Sequence, residues 1–321
     1  MGFSEKLILT LILLFICKGN CVNGATFTFV NKCEQTIWPG ILGNPGIGST
    51  GFELPKGSSR SFEAPTGWSG RFWGRTGCNF DDSTNNGSCT TGDCGSGTLE
   101  CNGSGATPPA TLAEFTLGSG SQDFYDVSLV DGYNLPMIVE VNGGTGSCAT
   151  TGCTEDLNQK CPTELRIEGG GACKSACDAF GTAEYCCKGQ FGSPSTCSPS
   201  VYSQIFKSAC PKSYSYAYDD ATSTFTCTGA NYVITFCPSS LSSQKASKSE
   251  GTPDGSSSGT GTGAGTGSGS GSMPEAMLAD GSWLANLATG DSNTRQPRGF
   301  VQVLQILLFT FVSLSLYFMQ L

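Results

Sequence analysis

The chain has 321 residues, with 18 Cys, 45 Gly and no His. Without His there is no Ser-His-Asp or Cys-His catalysis, no imidazole metal ligand and no histidine pH switch. The 26 Asp and Glu outnumber the 17 Lys and Arg, for a net charge of -9. That balance repels nucleic acid and anionic lipid, and suits cations, basic proteins or neutral polar ligands.

Residues 1–24 read as a secretory signal: Lys6 gives a positive start, Leu7–Cys17 an apolar run, and Val22-Asn23-Gly24 a small-residue cleavage site. Export places the rest in an oxidising compartment. Cys17 and Cys21 leave with the signal, so 18 less 2 leaves 16 cysteines, an even number. An even count, secretion and the absence of His favour disulfides over zinc, and neither a metal nor a cofactor is expected.

Residues 25–238 form the expected folded unit, which holds 11 Lys and Arg against 20 Asp and Glu and so carries the whole charge of -9. Period-two alternation in Ala25–Val30 predicts a half-buried strand. Further strands are expected at Ser59–Glu63, Gly70–Arg75, Leu112–Leu117, Asp123–Val130, Pro136–Val141 and Tyr232–Phe236, all rich in β-branched and aromatic residues. In Gly70–Arg75 the alternation sets Arg71, Trp73 and Arg75 on one face and Phe72 on the other. Short strands punctuated by Gly, Asn and Pro predict a β-sandwich or barrel. Residues 155–210 differ. The spacing of Cys173 and Cys177 suggests two sulfurs on one side of a helix, and Val201–Lys207 also reads as helical.

Ser239–Ser272 is mostly Ser, Gly and Thr and cannot bury a core. The linker runs to residue 299; about fifty residues of such chain span roughly 40 Å. The apolar tail 300–321 has two readings. Its length suits a spanning helix, but Arg295 and Arg298 precede it and nothing basic follows. Small residues at Ala288-Thr289-Gly290 or Gly290-Asp291-Ser292, a polar spacer and a terminal apolar run fit a GPI-anchor signal better.

Ala25-Thr26-Phe27, Val30–Cys33 and Trp38 resemble the mature start of the thaumatin-like family, the fifth pathogenesis-related group of plants. The stretch Asn86–Cys101 is similar to the family's signature, with Asn85 standing where the pattern has Gly. Pro108–Phe115, Tyr125–Met137 and Glu184–Cys187 look like further landmarks. The resemblance covers all of residues 25–238. It implies a mainly β fold, a flattened thaumatin-type β-sandwich with a helical disulfide-rich lobe and a small disulfide-rich β lobe. It also implies the pairing Cys33–Cys237, Cys78–Cys89, Cys94–Cys101, Cys148–Cys227, Cys153–Cys210, Cys161–Cys173, Cys177–Cys186 and Cys187–Cys197.

The same resemblance implies an acidic cleft of one Arg, one Glu and three Asp. Here those positions look like Arg71, Glu114, Asp126, Asp131 and one of the pair Asp219 and Asp220. Such a cleft accepts hydrogen bonds from sugar hydroxyls, with Tyr133 and Phe115 as candidates for stacking on ring faces. The expected ligand is β-1,3-glucan or another wall polysaccharide, with a basic protein partner as a further electrostatic option. If the site is an enzyme, Glu114 is the acid and Asp131 the nucleophile or base of a weak endo-β-1,3-glucanase. Two sequons, at Asn86 and Asn102, predict surface glycosylation. The expected product is an extracellular monomer with a role in defence, held at the plasma membrane by a lipid anchor.

Overall fold

A computed structural model describes residues 24–238, apart from Asp82 and Asn85. The signal segment, the linker and the apolar tail lie outside the described residues. Among the described residues no helix is long and apolar enough to cross a membrane.

The strands are β1 (Ala25–Asn31), β2 (Trp38–Asn44), β3 (Ser59–Ala64), β4 (Ser69–Arg75), β5 (Asn79–Phe80), β6 (Gly87–Ser88), β7 (Leu112–Thr116), β8 (Asp123–Ser128), β9 (Met137–Thr145), β10 (Thr151–Cys153) and β11 (Phe225–Phe236). Four short helices lie between β10 and β11: α1 (Leu157–Lys160), α2 (Ala176–Phe180), α3 (Val201–Ala209) and α4 (Asp220–Ser223). Nine strands form one sheet in the order β10-β9-β11-β8-β7-β4-β2, with β1 paired in parallel to β11 and antiparallel to β3.

The long strand β11 makes this sheet curl. Phe225–Cys227 pair with β8, and the strand then moves to β9 at Thr228 and from Ala230 onward. Gly229, at φ 66°, sits at the switch and takes part in neither register; only glycine adopts that backbone freely. The β3-β1-β11-β9-β10 portion thereby folds over the β8-β7-β4-β2 portion.

Alternation fills the space between the two layers with rings. Phe27 is fully buried and meets Phe72 and Phe115, each at 4.8 Å between centroids, and Trp68 at 5.2 Å. Tyr232 packs on Phe115 at 5.0 Å, and its hydroxyl donates to Asp123 Oδ2 at 2.7 Å. Each such ring contributes roughly 1.5–3 kcal/mol by leaving water.

Two smaller cores flank the sheet. One gathers Leu129, Tyr133, Leu157, Leu165 and Phe206 with four cysteines; the other gathers Trp73, Ala110 and Leu112 with Cys94 and Cys101. Cys33–Cys237 ties the first strand to the last. Cys78–Cys89 and Cys94–Cys101 brace the small lobe. Cys148–Cys227 ties the β9–β10 connection to β11, Cys153–Cys210 fastens the end of α3 to β10, and Cys161–Cys173, Cys177–Cys186 and Cys187–Cys197 close the helical lobe internally.

The helical reading of Cys173 and Cys177 is corrected by the structure. Ser175 is extended and its side chain accepts from Asp178 N, so α2 begins only at Ala176. Cys173 instead exchanges backbone hydrogen bonds with Tyr133, at 2.7 and 2.8 Å. The capping serine starts the helix downstream of the first cysteine.

Candidate functional site

Strand register builds the site. Arg71 on β4 stands directly opposite Glu114 on β7, and Glu114 stands directly opposite Asp126 on β8. Residues opposite one another share a face, so the three form a row across three adjacent strands. Their neighbours Phe72, Phe115 and Tyr125 point the other way, into the aromatic core. Arg71 and Glu114 are each 5% exposed and Asp126 1%. Among the described residues, none of the three takes part in an ion pair. Arg71 Nε and Asp126 Oδ1 are buried with no hydrogen-bond partner.

Burial dominates the electrostatics. It pushes the Glu114 carboxyl from 4.5 up to about 7; Arg71 works against the rise and Asp131 adds to it. Asp126 is held well above the usual carboxylate range, first by burial and then by Glu114 and Asp220. Asp131 is raised by burial and by Asp178, with Arg71 and Lys188 opposing. Two opposed buried carboxyls beside one guanidinium raise the cost of ionising both.

Asp131 belongs to a tight turn after β8. Ala110 N donates to its carbonyl, and Gly132 N to that of Leu129, both at 3.0 Å. Gly132 has φ 90°, and a Cβ there would lie 2.7 Å from the Cys173 carbonyl oxygen and from Pro109 Cβ. Asn134 then locks the turn to its surroundings. Its Oδ1 accepts from Thr111 N at 3.0 Å, and its Nδ2 donates to Gly74 O at 2.8 Å and Thr91 Oγ1 at 2.9 Å.

Asp219 and Asp220 separate clearly. Asp219 pairs with Lys207 at 3.0 Å and accepts from Ser215 N and Oγ at 3.0 and 2.9 Å. It braces α3 against the turn before α4. Asp220 is exposed, accepts from the Tyr214 hydroxyl at 3.0 Å, and acts electrostatically on Asp126. Tyr214 is an unanticipated member of the site. Its backbone joins β8 through Tyr214 N to Val127 O (2.9 Å) and Leu129 N to Tyr214 O (2.8 Å). Its hydroxyl meets Asp220 and Thr224, and burial raises its pKa. The alternation of Tyr214, Tyr216 and Tyr218 is the sequence signal for it.

The structure removes both stacking candidates. Phe115 and Tyr133 are fully buried: the first is a core ring, and the second donates its hydroxyl to Glu155 O at 2.8 Å. Both sequon asparagines are exposed. Asn86 bridges Thr98, and Asn102, at φ 51°, donates its backbone N–H to Thr50 Oγ1 at 3.0 Å.

Fold and bridges place the molecule among disulfide-stapled β proteins, a construction suited to oxidising compartments. Residues 31–238 match the Thaumatin family, and the chain belongs to it. "Thaumatin-like protein 1" of Arabidopsis thaliana is 69% identical over 227 residues, 68% of this chain and 87% of the relative. "Pathogenesis-related protein 5" of the same plant is 58% identical over 234 residues, 71% of this chain and 96% of the relative. Among solved structures, the thaumatin-like xylanase inhibitor TLXI is similar with a TM-score of 0.38 at 26% identity, over 66% of this chain and 99% of that one.

Proposed function

We propose that the protein is an extracellular defence protein that binds a neutral wall polysaccharide, of the β-1,3-glucan class, in an acidic cleft. The floor of that cleft is the row Arg71, Glu114 and Asp126, and its rim is Asp131 and Asp220. The observation that carries this reading is the pair of orphaned polar atoms in the row, a donor at Arg71 Nε and an acceptor at Asp126 Oδ1. A cation is opposed there by Arg71, and an anion by the carboxyls. A sugar hydroxyl donates and accepts at once, so a neutral polyol satisfies both kinds of group without importing charge.

A second reading is supported by the Glu114 carboxyl, pushed up to about 7. A carboxylic acid protonated near neutrality can protonate a glycosidic oxygen, with Asp131 as nucleophile or base. A glycan array followed by a reducing-sugar assay on the same sample separates the two. Binding to β-1,3-glucan without sugar release supports the binding site. Release abolished by Glu114→Gln supports the enzyme, and no binding to any glucan defeats both.

The linker and tail extend this reading to a protein displayed on the outer face of the plasma membrane by a GPI anchor. Phosphatidylinositol-specific phospholipase should release it from membranes; retention after treatment refutes the anchor.

A further inference from the structure

We propose that Phe180, Tyr185 and Tyr202 form a saccharide-stacking subsite on the helical lobe, taking the part of a β-1,3-glucan chain that extends beyond the cleft. The proposal rests on the cleft reading above and adds a second contact surface to it.

Two segments bring these rings together. Phe180 closes α2, Tyr185 follows it, and Tyr202 opens α3. Their centroids lie 5.5 Å (Phe180–Tyr185), 5.3 Å (Phe180–Tyr202) and 5.9 Å (Tyr185–Tyr202) apart. The bridge Cys177–Cys186 holds the segment that carries the first two. Phe180 is 40% exposed and the tyrosines are half-buried; Tyr202 also packs against the core of the helical lobe, so the cluster lies at that lobe's surface. The Tyr202 hydroxyl donates to Glu164 Oε1 at 3.0 Å, which leaves an exposed carboxylate at the edge of the rings.

The platform adjoins the cleft through its own chain. Cys173 is hydrogen-bonded to Tyr133, two residues past Asp131, and α2 begins three residues after Cys173. Asp178 on α2 and Lys188 after Tyr185 both act electrostatically on Asp131. The segment bearing Phe180 and Tyr185 therefore borders the rim that Asp131 forms.

Apolar rings beside a hydrogen-bond acceptor match one ligand chemistry well. A β-linked glucose unit presents a C–H face to a ring and hydroxyls at its edge, and aromatic side chains offer a large, stiff apolar surface. Three partly covered rings supply far less than the roughly 1,000 Å² that a stable protein interface buries.

The test is calorimetry with laminaribiose and laminarihexaose on wild type, Phe180→Ala, Tyr202→Phe and Glu114→Gln. Phe180→Ala should weaken hexaose binding roughly three- to tenfold and leave biose binding unchanged. Tyr202→Phe keeps its ring and should retain hexaose affinity. Unchanged hexaose affinity in Phe180→Ala overturns the platform, as does an equal loss for both sugars. If Glu114→Gln abolishes binding while Phe180→Ala changes nothing, the cleft stands and the platform falls. If wild type binds neither sugar, both fall. A Phe180→Ala shift from dimer to monomer in sedimentation would make the patch a self-association surface and also refute the proposal.

Discussion

Glu114 and Asp126 face one another across β7 and β8 on the side of the sheet away from the aromatic core, both almost fully buried. Two carboxyls so placed cannot both ionise cheaply, and the single guanidinium of Arg71, opposite Glu114, offsets only part of the cost. The local chemistry of the site follows from this arrangement.

Stability should fall as pH rises through the weakly acidic range. The Glu114 carboxyl titrates near 4.5 when unfolded and near 7 when folded. Between those values the folded state holds the extra proton, so raising the pH favours unfolding. Asp126 and Asp131, also raised, act in the same direction. Thermal unfolding should show a lower Tm at pH 7 than at pH 5, and Glu114→Gln should flatten that slope. A Tm that rises from pH 5 to 7 in wild type contradicts the account.

Asp219→Ala and Asp220→Ala should differ in kind. The first removes the acceptor of Lys207 and Ser215 and should cost about 2 kcal/mol of stability. The second removes an exposed carboxylate, should leave stability nearly unchanged, and should weaken sugar binding. Urea denaturation with titration calorimetry on both variants distinguishes them; equal destabilisation contradicts the division of roles.

Asn134→Ala should destabilise by about 3 kcal/mol, because it removes the side-chain partner of Thr111 N and Gly74 O and leaves Thr91 Oγ1 only its contact with Thr76. Asn134→Asp should recover little, since a carboxylate cannot donate to Gly74 O. Urea midpoints for the two variants provide the check.

The bridge Cys33–Cys237 closes a sequence separation of 204 residues. In the chain-entropy model the double variant Cys33→Ala/Cys237→Ala should lose about 5 kcal/mol, and full reduction should unfold the protein. A native-like circular dichroism spectrum after reduction contradicts this.

Strands with clean alternation were legible from the amino acids alone. The expected Ala25–Val30, Ser59–Glu63 and Gly70–Arg75 differ from the observed strands by a residue or less at each end. Strand β2, Trp38-Pro39-Gly40-Ile41-Leu42-Gly43-Asn44, was not, because its Pro and Gly erase the period-two pattern. The first half of β11 was also missed: the expected strand was only Tyr232–Phe236, while in the fold the strand starts at Phe225 and changes layers around Gly229. In the site, Glu114 and Asp126 came from the family resemblance; their place inside apolar strand runs left both a solvated face and a cleft open. Their mutual opposition depends on register, which no local pattern specifies. Phe115 and Tyr133 looked equally suited to core and ligand, and only three-dimensional packing assigns them to the core.

The central claim is that the row of Arg71, Glu114 and Asp126 floors a site for a neutral glucan. Its most direct test is titration calorimetry of laminarihexaose into wild type and Asp126→Ala, with folding of both verified by circular dichroism. The account predicts saturable binding to wild type and its loss in the variant. Equal affinity of the two proteins for the sugar would contradict it.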